Sequence, residues 1–190
     1  MKKVSPRFPA SMCALTFAAV CLFPAFAEAH PGHGVFHSWS DGFNHPLHGW
    51  DHLAVMIAVG AWAAIQHGRA AWALPLTFLS VMAVGGVAGA LGFAVPGTEL
   101  MIGISVVALG LLVITRARVN LATGVGVVGL FAFFHGYAHG LEMPDAASLT
   151  TYGFGFLAAT ALLHGLGFIV ARFIRVAAVR TGRGAAIGQD

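Results

Sequence analysis

Charge is what this sequence has least of. Only 9% of its 190 residues are Asp, Glu, Lys or Arg, where a water-soluble domain carries about 25% and needs them to cover its surface. An ordinary soluble domain is therefore excluded. Ten Lys and Arg against seven Asp and Glu leave a formal net charge of +3, too dilute a field to hold a polyanion, so nucleic acid is not an expected partner. Cysteine is nearly absent: Cys13 and Cys21 are the two, both close to the start. What fills the space is apolar, with 58% hydrophobic residues and 25 glycines, and the mean hydropathy is +0.82. One polar residue runs against this trend. There are ten histidines, as many as all Lys and Arg together.

The first segment reads as an export signal. Lys2, Lys3 and Arg7 precede an apolar stretch at 12–27, shorter than the 20 or so residues of a membrane span. Ala27-Glu28-Ala29 then supplies a small-x-small cleavage pattern. The expectation is a signal peptide at 1–29, cleaved before His30; the alternative is an uncleaved first transmembrane helix. Cleavage removes both cysteines, so the mature chain offers no disulfide and no thiolate metal ligand. A polar, histidine-rich exported segment follows at 30–44, too short to fold alone. Five apolar runs come next, at about 47–65, 71–95, 100–115, 121–141 and 151–174. Each is near the length that crosses the hydrocarbon core as a helix, the form that satisfies its own backbone groups in lipid. The expected fold is an all-α integral membrane protein, with a five-helix transmembrane domain at 45–176 and a cytoplasmic tail at 177–190. On span two, Gly85, Gly86, Gly89 and Gly92 form small-xxx-small patterns that predict close helix packing and a central place in the bundle.

The basic residues give the orientation independently. Arg69 lies between spans one and two, Arg116 and Arg118 between spans three and four, and Arg172, Arg175, Arg180 and Arg183 at or after span five. The opposite loops hold Glu99, Glu142 and Asp145 and no Lys or Arg. This predicts a mature N-terminus on the periplasmic side of a bacterial inner membrane and a cytoplasmic C-terminus.

The polar residues within the spans are clustered, and intramembrane ionisable groups point to function. Span one opens with His45-Pro46-Leu47-His48-Gly49-Trp50-Asp51-His52. On one continuous helix, His45, His52 and Met56 share a narrow stripe, with His48 about 60° away. Span four ends with His135, His139 and Glu142 at i, i+4 and i+7, again on one face. The topology puts both clusters at the exported end. His48 with His52 or Asp51, facing His135 with His139, offers four nitrogen or oxygen ligands to one divalent metal ion. His164 sits about two-thirds of the way along span five, and as a lone intramembrane histidine it reads equally as a helix-to-helix hydrogen bond. His30, His33 and His37 read as a metal-collecting segment beside the mouth, or as an exposed linker without duty.

The strings His45-Pro-Leu-His-Gly-Trp-Asp-His52-Leu-Ala and Phe134-His-Gly-Tyr-Ala-His-Gly-Leu-Glu142-Met-Pro144, together with Leu163-His164, resemble the HupE/UreJ family. The likeness extends over essentially the whole chain, including the His30-Pro31-Gly32-His33 start of the mature protein. It implies a nickel, sometimes cobalt, permease that serves hydrogenase or urease maturation. His45, Asp51 and His52 match its first motif, and His135, His139 and Glu142 its second, while His48 stands at a variable place. On this reading the protein is no enzyme and holds no tightly bound cofactor; Ni²⁺ or Co²⁺ is its cargo. Expected partners besides the bilayer are a second copy of the chain, a periplasmic metal donor and cytoplasmic nickel chaperones. Two alternatives stay open: a membrane haem protein or metal-dependent enzyme, and a subunit that binds metal without passing it.

Overall fold

The computed structural model describes residues 39–66, 68–144 and 147–187. The export signal, His30, His33, His37 and His67 lie outside the described residues. Six α-helices follow one another: α1 (Trp39–Asn44), α2 (Trp50–Gln66), α3 (Ala70–Ala90), α4 (Thr98–Ile114), α5 (Leu121–Leu141) and α6 (Leu149–Ile187), with a 3₁₀ turn at His45–Leu47 between the first two. No strand occurs among the described residues. Three helices are long and apolar enough to cross a membrane: α3, α5 and α6 as far as Ala177. The helix α4 is apolar and shorter. Large apolar side chains such as Trp72, Leu76, Leu100, Leu130, Phe154, Ile169 and Phe173 point outward. A contiguous outer surface of that kind suits lipid and not water.

Helix directions alternate, so the bundle has two chemically different ends. One holds Asp41, Asp51, Glu99 and Glu142; the other holds Arg69, Arg116, Arg118, Arg172 and Arg175. Side-chain clamps fasten each end. At the basic end, Gln66 Nε2 and Trp62 Nε1 both donate to the Ala117 carbonyl, at 2.8 and 2.9 Å, and Val119 N donates to Gln66 Oε1. At the acidic end, Tyr137 donates its hydroxyl proton to the Phe93 carbonyl and accepts from Val95 N. Asn120 caps α5 by accepting from Thr123 N at 2.9 Å.

Close helix contact is made through glycine. A Cβ at Gly85 or Gly89 would run into the Phe133 and Tyr137 carbonyls of α5. Reciprocally, a Cβ at Gly136 or Gly140 would strike the Met82 and Gly86 carbonyls of α3. The backbones of α3 and α5 thus touch over two turns, the close approach that small residues permit. Gly92 takes no part. It stands at φ 74° with open space around it, after α3 has ended at Ala90, five residues short of the expected limit of that span.

The structure differs from the expected layout in three further ways. Besides α3, which packs on α2, α5 and α6, helix α2 is central: it packs on α3, α4 and α6 and buries Val55, Met56, Val59, Trp62, Ala63 and Ala64. Next, 39–44 is helical, with Trp39 stacked on Phe43 at 5.0 Å and Gly42 against the Tyr152 backbone of α6. Finally α6 continues to Ile187, through most of the expected tail, because no proline interrupts it there.

Candidate metal centre

The first motif does not form one continuous helix. Pro46 has no N–H to donate, and the chain turns as a 3₁₀ helix at His45–Leu47 with His48 N bonded to the His45 carbonyl. Helix α2 then starts at Trp50, with the Gly49 carbonyl accepting from Leu53 N at 2.9 Å. Asp51 Oδ1 accepts from His52 N at 2.9 Å and lies 3.8 Å from His52 Nε2. A carboxylate in the first turn complements the helix dipole. Gly49 leaves the room that the His52 ring occupies: a Cβ there would lie 2.7 Å from His52 Cδ2.

This break changes which side chains meet. His45 swings over the end of α5, where its Nε2 is 3.2 Å from Glu142 Oε2. His48 turns the other way, placing Nδ1 2.8 Å from the Asn44 carbonyl on the exposed surface. The structure therefore brings His45, and not His48, to the second motif. Asp51 is beside His52 rather than among the converging nitrogens.

The ligand-type atoms form two triads that share one residue. At the mouth, His45, His139 and Glu142 each offer an atom within 4.8 Å of the others. Glu142 Oε2 is 3.2 Å from His45 Nε2 and 3.5 Å from His139 Nδ1. These neighbours, His139 first and His45 second, hold the Glu142 carboxyl well below the usual carboxylate range. Further in, His52 Nδ1 is 2.9 Å from His135 Nδ1 and 3.1 Å from His139 Nε2. His139 faces the mouth with one nitrogen and the inner triad with the other. Side-chain exposure falls along this line, from 56% at Glu142 and 30% at His45 to 11% at His52. His139 retains 5% and His135 none.

At the inner triad His52 Nδ1 meets two nitrogens within 3.1 Å, spacings that a single N–H shared between two acceptors satisfies, and three imidazoles converge there.

The second motif is two-faced. His135, His139 and Glu142 look toward α2, while Gly136 and Gly140, from the same seven residues, lie against the α3 backbone. The glycines press α5 on α3, and the histidines stand where that packing directs them.

A family model described as HupE / UreJ protein matches residues 18–189. The chain belongs to the HupE/UreJ family. Protein HupE of Rhizobium leguminosarum bv. viciae is 43% identical to it over 168 residues, which is 88% of this chain and 84% of that protein. No solved structure matches.

In this HupE/UreJ chain, several residues around the site escaped the motif reading. Tyr152 and Phe156 of α6 wall the mouth triad, with His139 4.4 Å from the Phe156 ring and His45 5.9 Å from the Tyr152 ring. Ser105 of α4 reaches His135 Nε2 at 2.7 Å. Its signal was available, as the one hydroxyl in the interior of an otherwise apolar helix. Phe78 of α3 stands between two histidines, with its ring centre 6.1 Å from that of His135 and 5.0 Å from that of His164. His164 is buried, and neither of its nitrogens has a hydrogen-bond partner among the described residues. The helix-to-helix hydrogen bond considered for it from sequence is not made among the described residues.

Proposed function

We propose that this protein carries a divalent transition-metal ion, nickel or cobalt, inward across the bacterial inner membrane, with five spans, a periplasmic His45/Glu142 mouth and a cytoplasmic arginine-rich end. The observation that carries this reading is His139, whose two nitrogens belong to two adjacent triads. An ion released from His45, Glu142 and His139 Nδ1 is taken up by His52, His135 and His139 Nε2, the bond to Nδ1 breaking and the ring proton of His139 passing from Nε2 to Nδ1. His164 is the next donor inward, beyond the Phe78 ring.

The donor set favours this class of cargo. Imidazole with one carboxylate suits Ni, Co, Zn or Cu(II), and the described residues offer no thiolate to select Cu(I). Transport by a non-enzymatic permease, feeding hydrogenase or urease maturation, is what membership in the HupE/UreJ family supports.

The test is uptake of radiolabelled nickel by proteoliposomes, with cobalt, zinc and copper as competitors. The expected result is accumulation that cobalt suppresses more strongly than zinc. Nickel bound by the purified protein with no uptake would make it a metal-binding subunit instead. An intense visible absorbance of the purified protein would make it a haem protein.

A further inference from the structure

The deepest ligand of the inner triad is oriented by a residue outside both motifs. Ser105 Oγ is 2.6 Å from the Ile102 carbonyl and 2.7 Å from His135 Nε2, and Ser105 is fully buried. A carbonyl oxygen only accepts, so at that separation the single hydroxyl proton lies on the line to Ile102. Ser105 Oγ then has only lone pairs to turn toward His135. A contact of 2.7 Å requires Nε2 to carry the proton and donate it. His135 Nδ1 is left bare, with its in-plane lone pair directed at His52 Nδ1, 2.9 Å away.

We infer that Ser105 is a positioning residue that holds His135 in its Nε2–H tautomer, with Nδ1 presented as the metal-binding atom. The inference rests on the reading of the inner triad as a metal site. The chain of contacts Ile102 carbonyl, Ser105 hydroxyl, His135 and ion corresponds to the way outer partners of metal-bound histidines fix the tautomer and ring orientation. It also gives α4 a role beyond facing lipid. The helix supplies the stop against which the deepest imidazole is set.

The experiment uses the full chain in nanodiscs with ¹⁵N-labelled histidine. Without metal, imidazole nitrogen resonances report which nitrogen of His135 is protonated, with the signal assigned by its loss in His135→Gln. The unsubstituted protein is expected to show the Nε2–H form alone. Ser105→Ala is expected to give a mixture of tautomers and to weaken nickel binding about 10- to 100-fold. Ser105→Thr, which keeps the hydroxyl, should restore both. A pure Nε2–H tautomer or unchanged nickel affinity in Ser105→Ala overturns the inference, as does an equal loss in Ser105→Thr. The two claims fail separately. If the unsubstituted protein binds no nickel, the metal reading falls, while the tautomer measurement still decides what Ser105 does to His135.

Discussion

At the scale of single residues, the division of labour runs through two histidines three positions apart. His45 and His48 were both candidate ligands by type and place, yet the 3₁₀ turn at His45–Leu47 sends them to opposite sides. Replacing His45 by Ala should weaken nickel capture by about tenfold or more, as losing one good ligand does. Replacing His48 by Ala should leave binding within about twofold. Equilibrium binding to the detergent-solubilised variants compares the two directly, and equal losses would contradict the assignment. Residue types and spacings showed that His52, His135 and His139 belong together. The helical projection put His45 on the stripe of His52 but about 10 Å away along a continuous helix, and only the 3₁₀ turn at His45–Leu47 brings it, and not His48, to the second motif. Ser105 and Phe78 were illegible for another reason. A hydroxyl or a ring in an apolar span has many ordinary uses, and what singles these two out is contact with His135 across helices.

At the scale of elements, the site depends on how closely α3 and α5 approach. The glycines of the second motif lie against the Met82 and Gly86 carbonyls, and Gly85 and Gly89 answer from the other helix. A side chain at any of them pushes the helices apart and moves His135 and His139 with α5. Gly140→Val should cost about 1–3 kcal/mol of stability, the usual range for overpacking a tight interface. Thermal unfolding in detergent should register this as a lowered Tm, and nickel binding should fall with it. The same substitution at Gly126, which faces open space, should do neither. If Gly140→Val matched Gly126→Val in both measurements, glycine contact would not be what sets the histidines. The approximate places of the five longer helices were readable from hydropathy, since apolar runs of that length have few alternatives in lipid, while the helix at Trp39–Asn44 and the run of α6 to Ile187 were not. The pairing was less readable. The small-residue stripe of α3 suggested a central helix, and α3 does pack on α2, α5 and α6; what the stripe did not reveal is that α2, through its bulky apolar residues, has neighbours on three sides as well.

For the whole molecule, the separation of charge follows from the alternation of helices. Carboxylates and the histidine triads gather at one end, and the described arginines gather at the other. On the proposed orientation, which the positive-inside tendency favours, the triads face the periplasm. A doubly charged ion moving inward through 100 mV, inside negative, then releases about 4.6 kcal/mol, enough for roughly 10³-fold accumulation. No nucleotide-binding GxxxxGK[ST] string is present, and none is needed for a gradient of that size. Nickel accumulation in proteoliposomes should therefore rise steeply with an imposed inside-negative potassium diffusion potential. It should collapse toward equilibration when valinomycin and equal potassium remove the potential. Accumulation indifferent to the potential would mean that another gradient drives the ion.

All three scales meet at His139, the residue common to both triads. The decisive measurement compares potential-driven ⁶³Ni uptake by the unsubstituted protein with that by His139→Ala, at equal amounts of protein reconstituted in the same orientation. Uptake by the variant should fall at least 100-fold, to the level of empty liposomes, while His48→Ala transports normally. Uptake by His139→Ala at the unsubstituted rate would contradict transfer through a shared imidazole.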